Sequence, residues 1–236
     1  MDLYTRRATS ILMIVAPVVV LVLFAIHSIV VLENALPQDT QAIIGGLGTN
    51  VGLAQVNFVL IWAALVLWIV ALIKLATTML DGAAGFSARM VITLLTGMVA
   101  VHSINMALGL AGIGASESVL AAKAAGAADL EHAAGAVAAS LLTASMGVNI
   151  VADLLFYLSF LTFGVAIIQG RAFHQAFGWV SIVSASIGII NSLAGGSSPE
   201  SINATVQMLT YVAGVSWSVV LGVIIIRASK PNKIKI

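Results

Sequence analysis

One acidic residue of this chain, Asp153, lies inside a long apolar stretch, where a charge is costly. Asn149 precedes it by four residues and Tyr157 follows it by four, so the three side chains would share one face of a helix. A lone carboxylate inside a bilayer costs about 2.5–3.5 kcal/mol, so Asp153 should face protein or water and have a polar partner. This chemistry suits a hydrogen-bond cluster, a metal site or a pocket for a polar ligand.

Other polar side chains fall at a similar depth in neighbouring apolar stretches. At ~1.5 Å per residue, Asp153 and Asn105 both lie about 12 Å from the outer ends of their predicted spans. On the same scale His102 lies about 16 Å and His27 about 8 Å from the outer surface. We therefore predict one polar layer in the outer half of the membrane. It consists of His27, Asn57, His102, Asn105, Asn149, Asp153 and Tyr157, with Gln207 and Tyr211 in the same half.

Three chemical interpretations of this layer are open. The favoured one is a buried hydrogen-bond cluster in which His102 pairs with Asp153. The second is a cofactor site, because imidazole and carboxylate suit zinc, copper or iron, so that His27, His102 and Asp153 would hold the metal. Two histidines could also be the axial ligands of a haem. The third is a pocket for a polar ligand; no local ligand spacing such as H-x-x-x-H requires a cofactor.

The elements that carry these residues are predicted to be transmembrane helices. The chain has 236 residues, is 61% hydrophobic and only 8% charged, whereas a soluble domain is about 25% charged. A helix needs about 20 apolar residues to cross the hydrocarbon of a bilayer. The predicted spans are 8–32, 53–80, 90–113, 145–169, 176–193 and 202–226, and an outer amphipathic or interfacial helix is predicted at about 115–144.

The distribution of Lys and Arg predicts the orientation of these spans. One side collects nine of the ten basic residues, namely Arg6, Arg7, Lys74, Arg89, Arg171, Arg227, Lys230, Lys233 and Lys235. The other side collects only Lys123. Since basic residues are retained on the cytoplasmic side, both termini are predicted to be cytoplasmic. The predicted fold class is therefore all-α, a polytopic transmembrane bundle with six spans.

Several classes of site and partner are disfavoured by composition. The chain has no cysteine, which excludes disulfides, thiolate metal sites and a Cys nucleophile. Nucleic-acid binding is not expected, because the basic residues are few and lie at the edges of the predicted spans. The expected partner of every span is the lipid bilayer, and the basic C-terminal tail is expected to attract anionic lipid.

Small residues recur at helical spacing on the last two spans. Gly214, Ser218 and Gly222 follow one another every four residues, and Ser184 and Gly188 do the same on the preceding span. Small residues at this spacing allow helix backbones to approach closely. The contacted helix could belong to the same chain or to a second subunit, and packing within the chain is the favoured interpretation.

Part of the chain, 132–191, resembles a group of bacterial six-span membrane proteins classified only as a domain of unknown function. The resembling residues are His132, Gly135, Leu154-Leu155-Phe156, Phe163-Gly164, Gly170-Arg171 and Gly178-Trp179. The turn Ala172-Phe173-His174-Gln175 departs from the proline-containing turn of that group. The resemblance implies a six-helix bacterial inner-membrane protein and implies no activity.

The expected function is non-enzymatic, because the sequence contains no recognisable catalytic constellation. We expect an accessory or structural subunit of a larger complex in the bacterial inner membrane, with other membrane subunits or self-association as partners. One alternative is a redox subunit that binds haem or a metal in the outer half of the bilayer. The other is a transporter of small molecules or lipids that uses Asp153.

Overall fold

A computed structural model of the chain describes residues 3–33, 35, 39–171, 173–195 and 201–228, and these residues form helices and connecting turns without a strand. The helices are α1 (Leu3–Ile26) with a π-helical continuation (His27–Val31), α2 (Thr40–Thr49), α3 (Val51–Thr77), α4 (Gly85–Ala124), α5 (Ala128–Gly170), α6 (Gln175–Gly195) and α7 (Ser201–Ala228). All of them except α2 are long and apolar enough to cross a membrane. The predicted all-α bundle of six spans is therefore confirmed, and the chain is a membrane protein by this criterion.

The six long helices form a closed ring. α1 packs on α3, and each later helix packs on the next in chain order until α7 returns to α1. Neighbours are antiparallel, so the bundle has two distinct ends. We call the end at which α4 turns into α5 the hairpin end. The opposite end, here called the basic end, carries Lys74, Arg89, Arg171 and Arg227.

The centre of the ring is filled by aromatic side chains from alternate helices. The ring centroids of Trp68 on α3 and Phe156 on α5 lie 5.5 Å apart. Tyr211 on α7 meets the Trp68 ring edge-on at 6.0 Å. The Trp68 indole N–H donates to Ser218 Oγ at 2.9 Å, and this hydroxyl donates to the Met13 carbonyl oxygen at 2.9 Å. These contacts tie α1, α3, α5 and α7 together.

The predicted packing residues of α7 contact helices of the same chain. Ser218 is fully buried between α1 and α3. A Cβ atom placed on Gly222 would come 2.9 Å from the Ser10 carbonyl oxygen, so the backbones of α1 and α7 are in close contact there. Gly214 is packed less tightly, since its nearest neighbour is the Phe160 ring at 3.7 Å.

The contact between α5 and α6 also consists of small residues. A Cβ atom placed on Gly164 would come 2.5 Å from the Gly178 carbonyl oxygen, so the two backbones touch. Further along α6, Gly188 lies directly against the ring of Tyr157. Of the two predicted packing residues of α6, Gly188 is thus at the interface, whereas Ser184 is only half-buried.

α4 and α5 are longer than a bilayer is thick. They contain 40 and 43 residues, or about 60 Å and 65 Å of helix, against about 40–45 Å for a bilayer with its headgroups. The separate helix predicted at 115–144 is not formed; this stretch is divided between the end of α4 and the start of α5. Gly126 makes the turn at φ +68°, and Ala127 donates to the Ala122 carbonyl oxygen, a hydrogen bond typical of a Schellman C-cap.

The segment with Gly45, Gly46 and Gly48, between the first two predicted spans, forms the short helix α2. The Asp39 carboxylate caps it by accepting from the Ala42 backbone N–H at 2.9 Å. Ile43, Ile44 and Leu47 are buried against the hairpin and the end of α1. α2 therefore braces the hairpin where it leaves the bundle.

Two sequence features fall outside the described residues. The first is the basic tail with Lys230, Lys233 and Lys235. Ala172 of the turn between α5 and α6 is another, although Arg171 before it is described and ends α5 in a left-handed conformation.

Candidate functional site

Asp153 on α5 accepts two hydrogen bonds on one carboxylate oxygen. The Asn149 side-chain amide donates to Asp153 Oδ2 at 3.3 Å from one turn earlier on the same helix. The Gln207 side-chain amide donates to the same oxygen at 2.8 Å from the start of α7. The carboxylate thus joins α5 to α7.

The hydrogen bonds continue from Asn149 toward the hairpin end. Asn105 Nδ2 on α4 donates to Asn149 Oδ1 at 3.2 Å, and Ser145 Oγ donates to Asn105 Oδ1 at 2.5 Å. We call Ser145, Asn105, Asn149, Asp153 and Gln207 the polar ladder. Its members come from three helices. In each hydrogen bond the acceptor is either Asp153 or the ladder member nearer to Asp153.

The polar stripe of α5 extends one further turn toward the basic end. The hydroxyls of Tyr157 and Thr210 lie 3.1 Å apart, within hydrogen-bonding distance. The same Thr210 hydroxyl donates to the Gln207 backbone carbonyl oxygen at 2.9 Å. Ser145, Asn149, Asp153 and Tyr157 are spaced by four residues, and this spacing keeps them on one face of α5.

Between this stripe and the basic end, the bundle is closed by aromatic side chains. Phe156 and Phe160 have ring centroids 4.7 Å apart, and Phe160 lies 5.0 Å from the Trp217 ring. Trp217 also meets Phe163 edge-on at 5.4 Å and donates its indole N–H to the Phe177 carbonyl oxygen. Aromatic side chains therefore fill the centre of the bundle between this stripe and the basic end.

The depth of the ladder follows from helix geometry. At ~1.5 Å per residue, Asp153 lies about 25 Å from the basic end of α5 and Ser145 about 37 Å. A hydrocarbon core about 30 Å thick that begins near this end would contain Asp153 and leave Ser145 in the headgroup region. The ladder thus crosses the boundary between hydrocarbon and headgroups.

The single polar layer predicted from sequence is only partly formed. Asn105, Asn149 and Asp153 come together, with Tyr157 one turn further along. Asn57 lies elsewhere: it is 3% exposed and donates to the Leu23 carbonyl oxygen at 3.0 Å, where it joins α3 to α1.

The two intramembrane histidines also lie outside the ladder. His27 is in the π-helical turn, its ring centroid is 5.9 Å from that of Phe58, and its buried Nδ1 has no partner among the described residues. The expected pairing of His102 with Asp153 is not observed, since the described donors to Asp153 are amides. Instead, Asn149 on α5 and Gln207 on α7 reach the carboxylate with their uncharged amide groups.

The predicted metal ligands do not form a group. Within the described ranges, no three His, Cys, Asp or Glu side chains lie close enough together to hold a metal ion. His27, His102 and Asp153 are therefore not assigned as a metal or haem site.

Two members of the polar network were not named in the sequence prediction. Ser145 continues the stripe of α5 by one turn, so the four-residue spacing that identified Asn149 and Tyr157 also points to it. Thr210 carries no such signal, because it pairs with Tyr157 across two helices that are far apart in sequence.

A cavity of about 400 Å³ lies on the hairpin outside the ring of spans. Gln41 of α2, Val119 of α4, and Glu131 and His132 of α5 line it, and its remaining wall is made of alanine and Gly135. His132 and Gly135 are also the first two residues of the resemblance described above. The cavity thus places that part of the resembling segment at the contact between α2 and the hairpin.

The chain matches no protein-family model, no curated protein and no solved structure.

Proposed function

We propose that this chain is a non-enzymatic, multi-pass protein of the bacterial inner membrane that acts as an accessory or structural subunit of a larger complex. In this proposal both termini are cytoplasmic, so the hairpin end faces the periplasm and the basic end faces the cytosol. The catalytic residues of the complex would then belong to other subunits.

The observation that carries the proposal is the apolar surface of the projecting hairpin. Leu130 and Val137 on α5 are 66% and 54% exposed. At ~1.5 Å per residue they lie about 60 Å and 50 Å from the basic end of α5, beyond the ~40–45 Å of a bilayer with headgroups. With α5 upright and its basic end at the membrane surface, lipid does not reach side chains at that height, and exposed apolar side chains in water favour a protein contact. The brace formed by α2 holds this surface in a fixed position.

We expect a photo-crosslinking amino acid at Val137 to give a discrete protein adduct in native membranes. The matched control is the same amino acid at Val180, which is 48% exposed near the basic end of α6 and should contact only lipid. Adducts are resolved by gel electrophoresis and identified by mass spectrometry. An adduct of twice the chain mass would identify the partner as a second copy. Lipid adducts alone at both Val137 and Leu130 would contradict the proposal.

A second candidate function, transport of a small polar molecule or lipid, is supported by the polar ladder. The ladder provides a polar route that ends inside the bundle at Asp153. The aromatic closure toward the basic end would then have to open during each transport cycle. The redox alternative has no comparable support, because the histidines lie apart from the ladder.

A further inference from the structure

We propose that Asp153 is the anionic ligand of a binding site for one monovalent cation, a proton or a sodium ion, which enters from the hairpin end. This site is independent of the proposed role in a complex, since it depends only on groups inside the ring of helices. In this proposal the polar ladder serves cation binding in addition to joining α4, α5 and α7.

The first step in the argument is the uncompensated charge. Asp153 is the one acidic side chain within the apolar part of the six spans, and no described Lys or Arg forms an ion pair with it. The titratable side chains on the surrounding helices are His102 on α4, Tyr157 on α5 itself and Tyr211 on α7, and α6 has none. Because a carboxylate in a bilayer is costly, a bound cation is the remaining way to balance its charge.

The second step is the direction of the hydrogen bonds. Ser145, Asn105 and Asn149 each donate toward the carboxylate, and Gln207 donates to it directly. Donors aligned in this way stabilise a negative charge. They do not neutralise it, so the charged form of Asp153 still needs a balancing cation.

The third step concerns oxygen atoms that have no hydrogen-bond partner among the described residues. Both donors reach Asp153 Oδ2, and no described group donates to Oδ1. The Gln207 side-chain oxygen likewise has no partner among the described residues. One turn further along α7, the Tyr211 hydroxyl is buried with no hydrogen-bond partner in the described part of the chain. Carboxylate, amide and hydroxyl oxygens are the ligands that hard cations prefer.

The final step is access from one end only. Gln207 is exposed, and Ser145, Asn105 and Asn149 are half-buried, so a polar route leads from the hairpin end to the carboxylate. On the other side, Phe156 is 4% exposed and belongs to the aromatic cluster that fills the bundle centre. A cation can therefore reach Asp153 from the hairpin end and cannot continue to the basic end in this conformation.

The test uses the full chain reconstituted in lipid vesicles, with the hairpin orientation established by labelling a single cysteine placed at Ala125. Difference infrared spectroscopy follows the carboxyl band that Asp153→Asn removes, while sodium (replaced by choline) or pH is stepped on one side. We expect the band to respond to a step on the hairpin side alone. Asp129→Asn, at an exposed acid in the first turn of α5, is the matched control and should leave the response unchanged.

Two variants separate binding from folding. Asp153→Asn keeps the shape of the side chain, so it should retain the helical circular dichroism spectrum and lose the ion response. Gln207→Leu removes both the amide oxygen offered to sodium and the hydrogen bond that stabilises the charged carboxylate, so it should weaken sodium binding about tenfold or more but tighten proton binding. Saturation by sodium in competition with protons would identify a sodium site, and a response to pH alone a proton site. A response of equal size from both sides, or none that depends on Asp153, would overturn the proposal.

Discussion

Replacing Gly164 by leucine is expected to prevent α5 and α6 from packing and to leave little folded protein after mild detergent extraction. The first added carbon would come 2.5 Å from the Gly178 carbonyl oxygen and 3.1 Å from the Ile182 backbone nitrogen. Both are backbone atoms of α6, so the clash is relieved only by moving the whole helix. The expected cost is at or above the upper end of the ~1–3 kcal/mol typical of overpacked sites. Stability is measured as the fraction of protein that stays monodisperse in size-exclusion chromatography after heating. The temperature at which half of the protein is lost is the thermal midpoint.

The matched control is Gly147→Leu on the same helix. A Cβ atom placed on Gly147 would meet no atom within 4 Å, so the thermal midpoint of this variant should stay close to that of the unmodified protein. Equal midpoints for the two leucine variants would mean that the backbones of α5 and α6 do not touch at Gly164.

Replacing Trp68 by alanine is expected to be the most damaging change in the bundle centre. Its side chain is 1% exposed, packs against Phe156 and Tyr211, and donates to Ser218 Oγ. Removal of a fully buried tryptophan typically costs about 3–5 kcal/mol, because a cavity is left behind. Thermal unfolding should shift to a clearly lower midpoint, and the near-ultraviolet circular dichroism of the aromatic cluster should fall.

Trp179→Ala provides the comparison with an exposed tryptophan. Trp179 is 58% exposed near the start of α6, a position typical of the interfacial aromatic belt. Its loss should change stability by less than about 0.5 kcal/mol. If the two tryptophan variants unfolded at the same temperature, Trp68 would not be a central packing residue.

The helical fold could be predicted from sequence because hydrocarbon imposes few solutions on an apolar chain. Backbone groups in lipid must be paired within the segment, so stretches such as 53–80 could only be helices. The limits of α4 and α5 were harder to predict. Gly114 was expected to end a span, yet α4 continues through it to Ala124, because the alanine-rich stretch that follows has high helix propensity. The turn comes at Gly126, where a positive φ is required.

Helix α2 forms because of tertiary contacts, although its own sequence has a low helix propensity. Three glycines give its segment a low intrinsic tendency to form a helix. It is helical because Ile44 and Leu47 are buried against the hairpin and the end of α1, and because Gly48 lets its backbone approach α4. Single-sequence propensity cannot anticipate a contact with helices that follow much later in the chain.

The site was predictable along a helix and much less so between helices. The four-residue spacing correctly placed Asn149 and Asp153 on one face, since it depends only on helix geometry. Depth alone could not say which helix faces meet. Asn57 and His27 have suitable depths, but Asn57 is turned toward Leu23 and His27 toward Phe58, in the contact between α1 and α3. Depth is thus a necessary condition for a shared site and not a sufficient one.

The central claim, that six helices cross the bilayer with the α4–α5 hairpin on the outer side, is tested most directly by cysteine accessibility. The natural chain has no cysteine, so each introduced thiol is unique. Ala125 at the hairpin tip and Asp81 between α3 and α4 are both exposed. A membrane-impermeant maleimide applied to intact cells should label Ala125→Cys at once and Asp81→Cys only after lysis. Labelling of Asp81→Cys in intact cells, or protection of Ala125→Cys, would contradict the claim.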